Sequence, residues 1–465
     1  MITNDRNDKI KDDGDTLFAF NTYEEFKNER VKINYENTLQ LWYSLPSGLP
    51  KIDNQRIKEY SSRQQRMRMG KVSAFAVYCA LFKRTPLRKR ISSKGSRLWH
   101  ETLNLSSSQD KSLFEFYQSL NRTTTEFLNK AERYDPKINN DELFKANRLV
   151  WWMAAYQLQQ NVPLVFSDSM FGYNMLYPYT DDLVDSNDVP REAKIDFAHI
   201  FHKRLLIGES NYDPKSHFNG QQSNVNELEL PSSLKPFADR IGKIFDMVKF
   251  IENDWIRDDE HNGVYMGLAT IHECQMLSTL QHARPKDDYA PTMAKIEEIS
   301  ALKGGASIIA AGFLIEGKLT RTEMAYLEYV GFGLQLLDDL QDVEEDMKNN
   351  HRTIFTQSIA ERQTLDAPTA RLIQFLYNPP ANLKFLDNSH SESKTGNYTD
   401  LFQYIHDSMT VFGVMLILEA ACHLQQYYSS GFYRELSMRC PVRFKRMKRA
   451  HIEKRMWSVF RRNWF

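Results

Sequence analysis

The chain is short of the residues that cross-link or punctuate small folds. Cysteine occurs four times in 465 residues, as Cys79, Cys274, Cys422 and Cys440. None forms a C-x-x-C pair, so a disulfide scaffold and a zinc finger are both disfavoured, and a reducing cytoplasm is the expected home. With only 19 glycines and 16 prolines, one large helical unit is as compatible with the length as the two to four domains that length alone allows. Long apolar runs are missing too. The longest, Ser307–Ile315 and Val411–Leu418, fall well below the roughly 18 residues of a membrane-spanning helix, so none is expected. The opening MITNDRNDKIKDDGD has no apolar segment after its charges, which argues against a secretory leader there. Net charge is also absent, with 60 Lys plus Arg against 60 Asp plus Glu. The remaining composition is that of a soluble globular protein.

The zero balance hides an asymmetry. Residues 439–465, RCPVRFKRMKRAHIEKRMWSVFRRNWF, hold ten basic residues against the single acid Glu453, so the tail is basic and the body acidic. Phe444, Met447, Met456, Trp457, Phe460, Trp464 and Phe465 would give a basic helix an apolar stripe. Such a helix lies on anionic lipid or a partner, or docks on its own domain. Nucleic acid is the weaker option, because the body offers no other basic stretch besides Lys83 to Arg97.

Helical spacing dominates the chain. Residues 1–15 are charged enough to be disordered, and 16–135 read as an N-terminal helical extension broken at Pro46, Pro50 and Pro86. A main helical domain spans 136–430, followed by the basic tail 431–465. Within the main domain, Asn140 to Ile207 reads as two long apolar helical stretches. Helical blocks follow at 237–282, 290–316, 320–348 and 400–428, with polar loops at 211–236 and 378–399. No alternating strand pattern and no repeat period is present. The expected fold is all-α, a large bundle of ten or more helices.

Two acidic motifs end apolar helical stretches. Asp181, Asp182 and Asp185 lie in MFGYNMLYPYTDDLVDSNDV, and Asp338, Asp339, Asp342 and Asp346 in YVGFGLQLLDDLQDVEEDMK; both read D-D-x-x-D. Carboxylates four apart on a helix share a face and repel by a few tenths of a kcal/mol when exposed, more when desolvated. A cation between them would relieve that repulsion. Gln335, three residues before Asp338, points to the same side. Carboxylates facing each other from two helices, with no His or Cys interleaved, form an all-oxygen site suited to Mg²⁺, which shares its coordination with substrate phosphates. A diphosphate is the natural ligand. A single D-D-x-x-D is more often a solvated acidic face; two copies, each ending an apolar stretch, make that less tenable.

Further cations lie near in sequence. In ISALKGGASIIAAGFLIE, Gly304, Gly305, Ala306 and Ser307 would let a neighbour or a ligand approach closely, and Lys303 is the only cation, able to hold a phosphate oxygen or to snorkel. Past the second motif, Lys348, His351 and Arg352 either add cations to the same mouth or complement a helix dipole.

These residues together resemble the class I isoprenoid synthases, the all-α superfamily of trans-prenyltransferases, squalene and phytoene synthases and class I terpene cyclases. SALKGGASIIAAGFLIEG followed by YVGFGLQLLDDLQDVEED is similar to the trans-prenyltransferase pattern, and YNMLYPYTDDLVDS to the squalene and phytoene synthase version. The resemblance covers roughly residues 145–360. It implies that Asp181, Asp182, Asp185, Asp338, Asp339 and Asp342 bind Mg²⁺, with Gln335 beside them and Lys303 on the diphosphate; Lys348 and Arg352, and Tyr177, are further expected substrate-binding residues. Leaving-group ionisation would then give an allylic cation, sheltered by Tyr173, Tyr177, Tyr179, Phe332, Trp151 or Trp152. No G-K-R box precedes the first motif, and the second lacks the N-S-E type triad of cyclases. A squalene-like coupling of two prenyl diphosphates, or a divergent activity, survives both departures.

The leading expectation is therefore a Mg²⁺-dependent isoprenoid synthase that ionises a prenyl diphosphate and forms a carbon–carbon bond. The alternatives are a terpene cyclase acting on one prenyl diphosphate and a noncatalytic helical protein that binds a partner or membrane. Expected partners are a prenyl diphosphate, no nucleic acid, a membrane surface met peripherally through the basic tail, and a second copy of the chain as a homodimer.

Overall fold

The computed structural model describes residues 17–18, 20–52, 57–81, 110–160, 162–184, 186, 188–208, 230–284, 288–380 and 397–448. Within them the fold is all-α, and the only β features are three isolated bridges. Helices start where the sequence supplies caps. Asn139 and Glu142 form a capping box ahead of α5 (Asn140–Gln159), and Thr320 and Glu323 do the same for α11 (Arg321–Gln341); each satisfies otherwise orphaned N–H groups of a first turn. Thr292 caps α10 (Met293–Glu316), which stops at Gly317 with φ +75°, a conformation that favours glycine.

The N-terminal part contains α1 (Tyr23–Asn34), which runs through a π-helical turn, Tyr35–Leu39, into α2 (Gln40–Ser44). Arg30, Asn34, Thr38 and Trp42 are all buried. Residues four apart drift by about 40° per step around an α-helix; the wider π turn absorbs that drift and keeps all four on one face. Arg30 and Asn34 reach Glu328 of α11, while Trp42 donates to Glu297 of α10 at 2.9 Å. The segment is thereby tied to the helices that matter below.

Next come α3 (Ser62–Leu81), α4 (Asp110–Tyr134), α5, α6 (Asp168–Val184), α7 (Arg191–Ile207), α8 (Ala238–Asp254) and α9 (Asn262–Ser278). Asn140 to Ile207 thus holds three helices rather than two, because the breaks at 160–167 and 185–190 are each short. Following α11 are α12 (Val343–Lys348), α13 (Ile354–Ala360), α14 (Asp366–Tyr377), α15 (Asn397–His423), α16 (Ser430–Arg439) and α17 (Phe444–Met447).

α10 is the central helix, with 17 of its 24 residues buried. It packs on α9 and, most extensively, on α11. Its small residues admit a neighbouring helix: a Cβ on Gly304 would lie 2.4 Å from the Gly331 carbonyl oxygen, and one on Gly331 would lie 2.2 Å from that of Gly304. Gly305 clears the way for the Glu328 carboxylate. Among the described residues two helices, α10 and the Ile405–His423 part of α15, are long and apolar enough to cross a bilayer by composition, contrary to the expectation of none. Of these windows 78% and 61% are buried inside the fold, the position of core helices.

Cross-contacts set the register around the core. Asn174 meets Met153 and Gln157 meets Met170, so α5 and α6 are antiparallel. Gln159 reaches Tyr326 and Arg148 reaches Asp338, so α5 also runs antiparallel to α11. Tyr173 donates to the Ser307 carbonyl at 2.7 Å, linking α6 to α10. At the far end of the chain, Phe444 and Met447, the first apolar residues of the basic stripe, are buried, and α17 packs on α15. Residues 1–15, Lys83 to Arg97 and the rest of that stripe, from Met456 onward, lie outside the described residues.

Candidate active site

The helices α5, α6, α9, α10, α11 and α15, with Leu120 of α4, Phe201 of α7 and Leu376 of α14, enclose a cavity of about 450 Å³. Its interior is apolar and aromatic, with Trp151, Trp152, Tyr173, Tyr326, Tyr329 and Phe412 among the walls. Its charged lining gathers at one end, Lys145 and Arg148 from α5, Lys303 from α10 and Asp338 from α11, with Thr180 of α6 and Gln335 of α11; the lining also includes His272 and Gln275 of α9 and His406, Ser408 and Thr410 of α15, with His406 beside Tyr326.

Register explains the gathering. Because α5 and α6 are antiparallel and pair near Met153 and Asn174, Arg148 stands level with the last turns of α6. Arg148 also donates to Asp338 at 2.8 Å. The turn of α6 that carries Asp181 and Asp182 and the turn of α11 that carries Asp338 therefore finish at the same end of the cavity. The side chains of Asp181 and Asp182, and Asp185 altogether, lie outside the described residues.

Of the remaining residues singled out in the sequence, Asp338, Gln335, Lys303 and Tyr177 line the cavity. Lys303 is half-buried, and its ammonium has no hydrogen bond or ion pair among the described residues. Asp339 faces the α10–α11 seam instead. It is 5% exposed, accepts from Gln335 at 2.8 Å, and lies 3.5 Å from the Ser300 hydroxyl. Burial pushes its carboxyl up to about 7, against the pull of the Gln335 amide. Asp342 caps α11 where the helix breaks before α12, so the second motif does not continue on one helical face to Asp346. Crowding by protein atoms and then the charge of Asp338 raise the Asp342 carboxyl. Asp346 is held by His351 at 3.0 Å. Lys348 is exposed, and Arg352 donates its backbone N–H to Gln281 at 2.9 Å; neither lines the cavity.

Two proposed aromatic walls are used elsewhere. Tyr179 donates to Asp135, which also accepts from Lys243, knotting α6 to the end of α4 and to α8. Phe332 packs against Trp42 and Phe375. Periodicity alone does not distinguish such core rings from wall rings. Conversely, Tyr326, Tyr329 and Lys145 escaped notice. Stepping back from Asp338 by helical turns to Leu334, Val330 and Tyr326 would have found the wall of α11, and Lys145 lies one turn before Arg148.

Whether this donor set suits Mg²⁺ can be judged from its chemistry. Asp338 and Asp342 supply hard oxygens that repel one another, so a cation at this mouth would relieve the crowding, and a partly hydrated ion shared with a diphosphate needs few protein ligands. Among the described residues no three His, Cys, Asp or Glu side chains gather closely enough to hold a metal by themselves. No protein-family model, curated protein or solved structure matches the chain.

Proposed function

We propose that the protein is a Mg²⁺-dependent isoprenoid synthase that ionises a prenyl diphosphate and forms a carbon–carbon bond. One observation carries this reading: a cavity with aromatic walls whose lysine, arginine and aspartate residues lie toward the end where both D-D-x-x-D helices finish. Asp338 and Asp342, with Asp181, Asp182 and Asp185 from the facing helix, would hold the ion. Bound there, Mg²⁺ would draw charge onto the leaving diphosphate.

The remaining work belongs to the chain's own groups. Lys303 and Lys145 place positive charge for the diphosphate from opposite walls, and Arg148 holds Asp338 in place until substrate arrives. The prenyl tail fits below, where apolar walls exclude water from a developing cation. The faces of Trp151, Trp152 and Tyr173 stabilise positive charge, each by about 0.5–2 kcal/mol.

The test is incubation with Mg²⁺ and farnesyl or geranylgeranyl diphosphate, each with and without isopentenyl diphosphate, and identification of products by mass. A coupled or elongated product supports the reading. A cyclised product from a single diphosphate assigns the same ionisation to a cyclase. No product from any mixture, or undiminished product in Asp338→Asn and Asp181→Ala variants that still fold, rejects it.

A further inference from the structure

His351 follows the second acidic motif but does not line the cavity. It faces His282 across a short antiparallel bridge. The Ala283 N–H donates to the Asn350 carbonyl and the Arg352 N–H to the Gln281 carbonyl, each at 2.9 Å. Hydrogen bonds on either side of a facing pair, and none within it, mark the position of an antiparallel ladder where Cα atoms lie about 4.5 Å apart and both side chains project on one face. The two rings stack there, with centroids 4.8 Å apart and planes 21° from parallel.

Each Nδ1 atom has an acceptor. That of His351 lies 3.0 Å from Asp346 Oδ1, and that of His282 lies 3.3 Å from the Asn349 carbonyl oxygen. A carboxylate and a carbonyl only accept, so in the neutral rings both Nδ1 atoms carry the proton and both Nε2 atoms carry the lone pair. Asp346 and Asn349 belong to the same turn at the end of α12. Two nearly parallel rings that turn their Nδ1 edges toward it therefore turn their Nε2 edges away from it together.

The backbone beneath the pair is fixed from both sides. The Gln281 amide donates to the Ser300 hydroxyl of α10 at 3.2 Å and to the Arg352 carbonyl at 3.3 Å. The Tyr289 hydroxyl donates to the Leu280 carbonyl, and the Thr356 hydroxyl to the His351 carbonyl, each at 2.8 Å. Asn350 takes φ +54°, a left-handed conformation that asparagine tolerates better than most residues, and so brings His351 opposite His282.

We propose that His282 and His351 chelate a divalent late first-row transition-metal ion such as Zn²⁺, at a site separate from the oxygen donors of the cavity mouth. Imidazole nitrogen suits such ions, whereas Mg²⁺ prefers oxygen and does not compete for it. Tetrahedral zinc with Zn–N bonds of 2.0–2.1 Å needs its two nitrogens about 3.3 Å apart, a separation that the stacked rings reach by tilting toward one another. Asp346 is the positioning residue, its carboxylate fixing the His351 tautomer and raising the basicity of Nε2. Water completes the shell, since no third His, Cys, Asp or Glu ligand gathers there among the described residues. A bound ion would staple the 281–283 segment to the turn after α12. Nothing in this chelate depends on prenyl diphosphate chemistry.

The experiment takes the full chain, stripped of metal with a chelator and then dialysed into excess Mg²⁺, and titrates it with Zn²⁺ by calorimetry, with thermal melts in parallel. A saturable event that raises the melting temperature is expected, lost in His282→Ala and in His351→Gln. It should be kept in His261→Ala, whose ring pairs with Asp258 instead. Asp346→Asn should weaken it about 10–100-fold. With Cu²⁺ as the probe, electron paramagnetic resonance should show hyperfine coupling to two imidazole nitrogens in the parent chain and to one in either histidine variant, which a purely structural ring stack would not give. Should His351→Gln fail to fold, His282→Ala decides the matter. No saturable Zn²⁺ binding by the parent chain, or binding of undiminished affinity in a folded histidine variant, overturns the proposal. Unchanged affinity in Asp346→Asn overturns the role given to that carboxylate.

Discussion

α11 carries two carboxylate–arginine pairs in opposite circumstances. Glu328 and Arg30 are 0% and 1% exposed and meet at 2.6 Å, with Asn34 donating to the same carboxylate and Arg30 also donating to the Leu302 carbonyl at 2.5 Å. Asp338 and Arg148 are 34% and 30% exposed at the cavity mouth and meet at 2.8 Å. The first pair is walled in, so among the described residues neither charge has another countercharge and removing one strands the other. The second faces solvent and cavity, so Arg148 can be exchanged for another cation at little cost. The same chemistry thus fastens α1 to the core in one place and keeps a carboxylate available in the other.

The largest effect expected from breaking this contrast is at the buried pair. Arg30→Ala should destabilise the fold by about 3–5 kcal/mol, measured by denaturant unfolding; a loss under about 1 kcal/mol would show that the pair is not sealed. His272 offers a buried group without a countercharge. It is 3% exposed, in contact with Phe197 and Phe201, and its Nε2 lies 3.1 Å from the Ala198 carbonyl. Burial lowers its imidazole from 6.5 to about 4. The unfolded chain therefore binds a proton that the folded chain refuses, so stability is fully present above about pH 6.5 and is lost as pH falls toward 4. The loss should approach about 3 kcal/mol and should shrink in His272→Gln, read from unfolding at a series of pH values.

Gly305→Ala comes next, because its Cβ would fall 1.6 Å from a Glu328 oxygen. About 1–3 kcal/mol should be lost, and little of it should remain when Glu328 is already Ala. Smallest in stability is Asp338→Asn, expected to change unfolding by under about 1 kcal/mol, yet to lower product formation by about a hundredfold or more if its charge holds the ion. Equal losses of stability at Asp338 and Arg30 would erase the distinction between the two pairs.

Much of the architecture was legible before any coordinates. Apolar periodicity marks helical blocks at 290–316 and 320–348 because a buried face needs it, and α10 and α11 start inside them after the capping residues Thr292 and Thr320. Asp338, Gln335 and Lys303 stand out because polar and charged groups inside apolar stretches are rare. The glycines of α10 were seen but their use was open between ligand and neighbouring helix. Only the meeting of Gly304 with Gly331, and of Gly305 with Glu328, decided for the helix. Arg30 carried no local signal at all, since its partner is 298 residues away in sequence.

The amino-acid sequence by itself determined that the chain is helical and that two acidic runs close apolar stretches, because propensity and periodicity act over a few residues. Tertiary structure alone decided which carboxylates face a cavity and which are sealed into a seam. Those outcomes depend on helix register across the core, and register is set by contacts between residues that no short window of sequence contains.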